Sequence, residues 1–315
     1  MAILSRMLRD YCQVGLVVIA VLICVIYSAI SLGHRGYLFT SSTASDLCTE
    51  HDAHLHYVSS PSAKCIDGSP PAYYFRRGKV PRWHIHFEGG GWCYSIPACY
   101  ERSFEQLGSS ITYPKCVHEK HMKDYLSQDS AHNPLMANWN HVLVKYCDGA
   151  SYAGDAIHHY NDRTLFFKGK FNRDETIKSL LFEYGMKYAS DVVISGCSAG
   201  GLGIFLGIDQ MTSIIHSVNS SIQVKAIADS GFFLDYSSDD KWISENKYPE
   251  ALVGNKMDYS KSMKNVFDFA NVSSGANPKC IQNAASPSSC IFAQNLAIHI
   301  STPLFALQVQ LASHS

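Results

Sequence analysis

The sequence carries almost no excess charge of either sign. Its 26 Lys and Arg residues against 27 Asp and Glu residues leave a formal net charge of −1. No run of like charges stands out along the chain. A nucleic-acid-binding surface needs a basic field, and a polyelectrolyte tail needs a block of like charges. We therefore expect no nucleic-acid partner and no such tail.

The chain also lacks zinc-ligand spacing, because no two of its 11 cysteines form a Cys-x2-Cys pair. Cys12 and Cys24 lie in or before an apolar N-terminal segment, and nine cysteines follow it. Disulfides formed in an oxidising compartment explain so many cysteines better than a metal does. Nine is odd, so at least one thiol is free or its partner lies elsewhere. We expect no metal and no cofactor.

Residues 14–32 contain no charged side chain, and this run is long enough to cross a bilayer as a helix. A long signal peptide cleaved near Ala29-Ile-Ser31 and a buried core helix are the alternatives. The length favours an uncleaved anchor with a cytoplasmic N-terminus. Residues 1–33 are thus predicted to be a signal anchor or signal peptide. The rest of the chain would enter the secretory pathway, as a type II membrane protein or an extracellular or cell-wall protein.

Two glycosylation sequons, at Asn219 and Asn271, agree with secretion. Residues 34–60 are polar and without a clear period, which predicts a linker. Residues 61–315 are then the folded domain. Within it, a polar stretch at about 236–289 reads as an insertion above the sheet, with a Cys280–Cys290 bridge as a candidate staple.

The stretch Asp191-Val-Val-Ile-Ser-Gly-Cys-Ser-Ala-Gly-Gly201 organises the domain. An apolar β-branched run ends in Gly-x-Ser-x-Gly, and a helix-like segment follows. This order is typical of a nucleophile elbow, a sharp turn that lifts one serine above a sheet. Ser198 is the predicted nucleophile, and the Ala199 N–H is a predicted oxyanion donor. An ordinary glycine-rich turn is the alternative.

A second motif, Glu88-Gly-Gly-Gly-Trp-Cys93, directly follows the alternating strand pattern Arg82-Trp-His-Ile-His-Phe87. A glycine triplet after a strand resembles the oxyanion loop of lipases and esterases. His84 and His86 share one face of that strand and are interpreted as core or surface histidines rather than metal ligands. Asp148 and Asp155 are expected as solvated acids at a pocket rim, with substrate contact as the alternative.

Strand patterns alternate with helical spacing along the domain, as at 176–186, 191–195, 199–218, 224–228 and 302–309. This alternation predicts an α/β fold with a mostly parallel sheet that has helices on both faces.

Five motifs occur in one order, and together they resemble the pectin acetylesterase family, which includes an animal Notum branch. They are Cys65-Ile-Asp-Gly-Ser-Pro-Pro-Ala-Tyr73, Phe87-Glu-Gly-Gly-Gly-Trp-Cys93, Tyr146-Cys-Asp-Gly149, Ser195-Gly-Cys-Ser-Ala-Gly-Gly201 and Ala228-Asp-Ser-Gly-Phe-Phe-Leu-Asp235. The details of the glycine triplet and of Gly-Cys-Ser-Ala-Gly-Gly are similar to the plant-type enzymes. The resemblance implies an α/β-hydrolase fold, a Ser-Asp-His triad, no metal, and hydrolysis of an ester.

By the same resemblance, Ser198 matches the nucleophile, and Gly91, Trp92 and Ala199 match the oxyanion-hole positions. The family's acid follows a strand like 302–309, where Ala312 stands here, and its histidine would come later. We therefore expect the last strand or strands to be missing and this chain, as written, to be inactive. Asp229 is a substitute candidate for the acid. The candidates for a substitute histidine, all judged poor, are His216, His299 and His314.

The resemblance implies a carboxylic ester hydrolase that removes acetyl groups from an extracellular or cell-wall polysaccharide such as pectin. A Notum-like protein O-deacylase is the alternative. Three interpretations remain open for the chain itself: an incomplete or alternatively spliced acetylesterase, a catalytically dead binding or decoy protein, and an intact enzyme with a non-standard triad. The polysaccharide is the expected partner, together with a membrane if residues 1–33 are retained.

Overall fold

The computed structural model describes residues 48–122, 124–236 and 258–308. The chain divides into two compact units, Met1–Leu47 and Cys48–Ser315. The first unit, with the predicted membrane span, lies outside the described residues. No helix among the described residues is long and apolar enough to cross a membrane.

The strands and helices of the second unit are as follows, in chain order. The strands are β1 (Ala53–Tyr57), β2 (Ala72–Arg76), β3 (Arg82–Phe87), β4 (Cys116–Val117), β5 (Asn140–Val144), β6 (Ala156–Tyr160), β7 (Arg163–Phe167), β8 (Asp191–Cys197), β9 (Gln223–Asp229) and β10 (Leu304–Leu307). The α-helices are α1 (Ile96–Arg102), α2 (Gly169–Phe182), α3 (Ala199–Val218), α4 (Tyr259–Phe269), α5 (Pro278–Asn283) and α6 (Ala293–Leu296).

Eight strands form one mixed sheet in the order β10-β9-β8-β3-β5-β2-β1-β4, and β6 pairs with β7 in a separate hairpin. The pairings of β5 with β3, β3 with β8, β8 with β9 and β9 with β10 are parallel. The pairings among β5, β2, β1 and β4 are antiparallel. The expected α/β organisation is therefore present, with its parallel part around β8, the strand that leads to Ser198.

One face of this sheet holds the main apolar core. Trp83, Ile85 and Phe87 of β3 alternate toward it and join buried residues of α2 and α3. The opposite face is covered, in the described part of the chain, by the 116–137 segment with a small apolar cluster around Tyr74 and Met122. The two faces are thus covered unequally: long helices pack on one face, whereas short 3-10 turns lie over the other.

The folded unit begins earlier than the sequence predicted. Residues 53–57, inside the stretch interpreted as a linker at 34–60, form β1 between β2 and β4. Cys48 is bonded to Cys116, which fastens the start of this unit to β4. The strand Ala-His-Leu-His-Tyr alternates apolar and polar residues, but it is short and was missed because the stretch around it is rich in Ser, Thr and His.

Four disulfides connect the described cysteines: Cys48–Cys116, Cys65–Cys147, Cys93–Cys99 and Cys280–Cys290. The Cys280–Cys290 bridge confirms the staple expected in the polar insertion, of which 237–257 lie outside the described residues. Cys197 is the free thiol among the described cysteines, and it accounts for the odd count after the N-terminal segment.

We expect the Cys65–Cys147 disulfide to stabilise the fold more than the Cys280–Cys290 disulfide. The first closes a sequence separation of 82 residues and the second one of 10. Loop-closure entropy then gives about 4.5 and about 2.7 kcal/mol, respectively. All four cysteines are buried, so paired Cys→Ala substitutions are matched in their packing loss. Urea unfolding of both double variants measures the difference, and an equal or reversed order would contradict the loop argument.

Candidate functional site

The predicted elbow is a tight turn between β8 and α3. Ser198 stands between Cys197 and Ala199 with φ 53° and ψ −121°, a strained conformation for a residue with a side chain. Its N–H donates to the carbonyl of Asp229 at 2.9 Å, which ties the turn to the neighbouring strand β9. The surrounding sheet therefore holds this strained turn in place.

Two glycines allow the strand and helix of the elbow to touch. A Cβ on Gly196 would lie 2.4 Å from the carbonyl oxygen of Gly200, and a Cβ on Gly200 would lie 2.2 Å from that of Phe87. Both separations are far below van der Waals contact, so a side chain at either position would push α3 away from the sheet. Glycine is therefore the residue that both positions of the Gly-x-Ser-x-Gly pattern require.

The glycine loop after β3 lies directly against the elbow. A Cβ on Gly89 would be 2.5 Å from the Cys197 carbonyl oxygen and 3.0 Å from the Ser198 Cβ. Gly91 has φ +63°, and a Cβ there would meet no atom within 4 Å. The two motifs, about a hundred residues apart in sequence, therefore meet at one open site.

Side chains from neighbouring segments anchor the carbonyl groups of this loop. Arg102 Nη2 donates to the Gly90 carbonyl at 2.8 Å, and the Tyr146 hydroxyl donates to the Gly91 carbonyl at 2.9 Å. Within the described ranges, the N–H groups of Gly91, Trp92 and Ala199 donate to no other protein atom. A peptide plane whose carbonyl is anchored has a fixed N–H direction, so the N–H groups of Gly91 and Trp92 are ordered and remain available to a ligand.

Trp92 forms a wall beside the loop. Its indole N–H donates to Ser151 Oγ at 2.8 Å, and its ring meets Phe233 edge to face at 4.9 Å. Tyr94 lies 6.4 Å from the Trp92 ring. The side chain is therefore fixed by its own hydrogen bond while it stays partly accessible.

Asp229, the candidate acid, ends β9 opposite Cys197. Its carboxylate accepts hydrogen bonds from the Tyr125 hydroxyl at 3.2 Å and from Ser230 Oγ at 2.9 Å. No histidine among the described residues donates to it. The carboxylate is near the elbow, yet its partners in the described fold are hydroxyl groups rather than an imidazole.

Two of the three downstream histidines, His216 and His299, lie away from Ser198 in the described fold. His216 lies 18 residues into the elbow helix, roughly 27 Å along its axis, and its Nε2 contacts the Ile222 carbonyl at 3.0 Å. His299 precedes β10, at the opposite end of the parallel strands from Ser198. His314 lies outside the described residues.

Asp148 and Asp155 differ from the expectation of two solvated rim acids. Asp148 is fully buried and accepts hydrogen bonds from the N–H groups of Ala150 and Tyr152. Burial raises the pKa of Asp148 to about 6, although these hydrogen bonds oppose the rise. Asp155 forms an ion pair with Lys168 at 2.7 Å. Asp148 thus holds a turn in place, because its carboxylate accepts from N–H groups two and four residues later in the chain.

The structure shows a polar cluster that sequence reasoning did not find. His84 Nε2 and His86 Nδ1 contact Ser195 Oγ at 2.7 and 2.9 Å, and His84 Nδ1 lies 3.4 Å from His141 Nδ1. All four side chains are buried. The alternation of the sequence indicated that His84 and His86 lie on the same face of their strand. Their contacts with Ser195 and His141 depend on the neighbouring strands β8 and β5, which the sequence does not reveal.

One group of possible metal ligands exists among the described residues, formed by Asp52, Cys116 and His118. Cys116 is bonded to Cys48, so its sulfur is no thiolate ligand. The Asp52 carboxylate already accepts hydrogen bonds from Thr49 and Glu119. The chemistry of this set fits a buried structural carboxylate better than an ion site.

The chain is similar in sequence to pectin acetylesterases and to palmitoleoyl-protein carboxylesterases. A family model described as Pectinacetylesterase matches residues 48–314. Pectin acetylesterase 5 of Arabidopsis thaliana is 34% identical over 247 residues, which are 77% of this chain and 53% of the relative. Palmitoleoyl-protein carboxylesterase notum2 of Xenopus laevis is 29% identical over 267 residues, 84% of this chain and 52% of the relative. The chain therefore spans about half the length of these curated relatives.

The fold has a counterpart among solved structures. The Wnt deacylase Notum from Drosophila superposes with a TM-score of 0.69 at 23% identity, covering 82% of this chain and 71% of that one. At this identity the likeness concerns the fold alone, which is α/β-hydrolase-like.

Acidification should destabilise the fold through the buried histidines. Burial lowers the pKa of both His86 and His141 to about 4, and burial together with the neighbouring histidines holds the pKa of His84 well below its ordinary value. An unfolded histidine titrates near 6.5. Between about pH 6.5 and 4 the unfolded chain binds protons that the folded chain does not, so the free energy of unfolding falls as pH drops.

Each such histidine contributes a slope of up to about 1.4 kcal/mol per pH unit. The raised pKa of Asp148 has the opposite effect, because in this pH window the folded chain holds a proton on Asp148 that the unfolded chain has lost. Asp148 is one group, however, and the buried histidines are three. Urea unfolding at pH 7 and pH 5 measures the loss, and His141→Asn should reduce the slope. His51→Gln, at a side chain that is 69% exposed, is the control. Stability unchanged between the two pH values would contradict the argument.

Proposed function

Because the chain belongs to the pectin acetylesterase family, we propose that its site is built for carboxylic ester hydrolysis with Ser198 as the nucleophile. The observation that carries the proposal is the contact of the glycine loop with the elbow, where a Gly89 Cβ would lie 3.0 Å from the Ser198 Cβ. A serine beside ordered, unused N–H donors is the arrangement that acyl transfer needs.

In this proposal the Ser198 hydroxyl attacks the ester carbonyl carbon, and the carbonyl oxygen becomes an oxyanion. The N–H groups of Gly91, Trp92 and Ala199 donate to it. Collapse of the tetrahedral intermediate breaks the ester bond, releases the alcohol and leaves an acyl group on Ser198. Water then attacks this acyl-enzyme and releases the acid. Cys197 is an unsuitable nucleophile, because burial raises the pKa of its thiol.

The described residues supply no imidazole as the proton acceptor for Ser198. No histidine among the described residues hydrogen-bonds to Ser198, and Asp229 is only a secondary proposal for the acid. Loss of the imidazole base costs on the order of 10^6 in turnover, whereas an oxyanion hole alone retains about 10^3 over water. We therefore propose that these 315 residues by themselves have residual activity at most.

Acetylated polysaccharide is the proposed substrate. The plant-type form of the glycine and elbow motifs supports it, as does the identity of 34% to Pectin acetylesterase 5. Partly exposed aromatic rings beside the loop, at Trp92, Tyr94 and Phe233, offer apolar faces on which a sugar ring can pack. Palmitoleoyl-protein carboxylesterases are also relatives, so protein O-deacylation is the second candidate. A binding protein without turnover is the third.

Secretion is proposed with this function. Four disulfides among the described residues suit an oxidising compartment. Residues 1–33 are proposed as the signal peptide or anchor that leads there, the anchor giving membrane attachment. The sequon asparagines, Asn219 and Asn271, are proposed glycosylation sites.

Chemical rescue tests the nucleophile. With imidazole added as an external base, a fluorophosphonate probe should label Ser198, because the oxyanion donors and the strained turn are already in place. Ser198→Ala should remove the labelling. Ser190→Ala is the matched control, since Ser190 is an exposed serine at the other end of β8. Labelling at a different residue, or none in folded protein at any imidazole concentration, would reject the assignment.

Acyl length tests the substrate class. Under the same rescue conditions, p-nitrophenyl acetate should be turned over faster than p-nitrophenyl octanoate, and acetylated pectin should release acetate. Ser198→Ala provides the background rate for each ester. A preference for the octanoate would favour the deacylase candidate, and binding of acetylated pectin without acetate release would favour the binding protein.

A further inference from the structure

The buried cluster of His84, His86, His141 and Ser195 lies directly beneath the candidate site. His86 is separated from Gly89 by two residues on the β3 side, and Ser195 is separated from Ser198 by two residues on the β8 side. The register pairs His86 with Ser195 across the two strands. The cluster therefore joins the strand that carries the glycine loop to the strand that carries the serine.

When every ring is neutral, one arrangement of protons makes all four ring contacts of this cluster hydrogen bonds. The Met136 carbonyl can only accept, so His141 Nε2, at 2.9 Å from it, carries a hydrogen. His141 Nδ1 is then an acceptor. His84 Nδ1, at 3.4 Å, must donate to it, which leaves His84 Nε2 as an acceptor.

The same reasoning continues through Ser195. Its hydroxyl donates to His84 Nε2 at 2.7 Å, and its oxygen accepts from His86 Nδ1 at 2.9 Å. His84 and His86 are therefore both Nδ1–H tautomers, whereas His141 is the Nε2–H tautomer. The chain runs in one direction, from His86 to the Met136 carbonyl, and each link determines the next.

We propose that Ser195, held between His84 and His86, is a positioning residue that sets the distance between the glycine loop and Ser198. This inference rests on the proposed function and adds to it the residues that align the two halves of the oxyanion site. Backbone pairing alone lets two strands shear slightly, but a Ser195 hydroxyl bonded to two buried rings of the neighbouring strand resists that movement. An error of about 1 Å in such a site can cost about 10²-fold in rate.

The surroundings favour neutral rings. Burial lowers the pKa of all three histidines. Arg76, paired with His141 in the sheet, repels a proton there. Tyr125 packs 5.3 Å from the His86 ring, and its hydroxyl is bonded to Asp229, the carboxylate that partly offsets burial at His86. A protonated His84 would lose the Nε2 lone pair that accepts from Ser195, and the order of donors and acceptors would break at that link.

Nitrogen NMR of the full chain tests the arrangement without any need for activity. In ¹⁵N-histidine-labelled protein at pH 7, His84 and His86 should show neutral Nδ1–H signatures and His141 a neutral Nε2–H signature. Single substitutions assign each ring among the 15 histidines. An Nε2–H tautomer of His86, or a charged His84, would overturn the proposal whatever the esterase result is.

Substitutions then test the positioning. Ser195→Ala and His86→Leu should shift the backbone amide resonances of Gly91, Trp92 and Ala199 and slow imidazole-rescued labelling of Ser198 roughly ten- to hundredfold. His86→Asn keeps an N–H donor near the Nδ1 position and should restore both readouts. Unshifted amides in folded Ser195→Ala, or equal effects of His86→Asn and His86→Leu, would reject it. If wild-type protein takes no label, the amide shifts still decide this question, and the proposed function alone fails.

Discussion

Close contact between two backbone segments is the constraint on which this site depends. The loop after β3 and the turn after β8 approach so nearly that a Cβ on Gly89 would lie 2.5 Å from the Cys197 carbonyl oxygen. On the other side of the turn, Gly200 approaches the Phe87 carbonyl. Three strand or helix ends therefore share a space in which no side chain fits. The strained Ser198 turn stands at this crowded contact, whereas the N–H groups of Gly91 and Trp92 lie where the loop opens, because a Cβ on Gly91 would meet no atom within 4 Å.

The two faces of the sheet that supports this contact differ in chemistry. One face is apolar and packed by long helices, which provides most of the burial. The other face carries a histidine and serine chain under the site, with Arg76 at one end. Buried polar groups cost free energy unless they are paired, but paired ones have directional requirements that apolar packing lacks. Directional contacts of this kind suit a position beneath a site whose geometry must be accurate.

Much of the site was predictable from particular residues. Gly196, Ser198 and Gly200 indicated the turn, and Gly89 to Gly91 indicated the facing loop, because backbone conformations of this kind depend on the local residue types. Their meeting could be expected from the order of the motifs. The burial of Asp148 and the entry of residues 53–57 into the sheet were not predictable in this way, since both depend on what packs around them.

The sequence by itself determined the chemistry that the turn and loop can offer, since a glycine or a serine in a tight bend acts through its own local geometry. Only the tertiary structure decided which groups surround that chemistry. His84 and His86 meet Ser195 across 111 and 109 residues of chain, and Asp229 meets Tyr125 across 104. Contacts at such separations are set by strand order and register, which no local pattern contains.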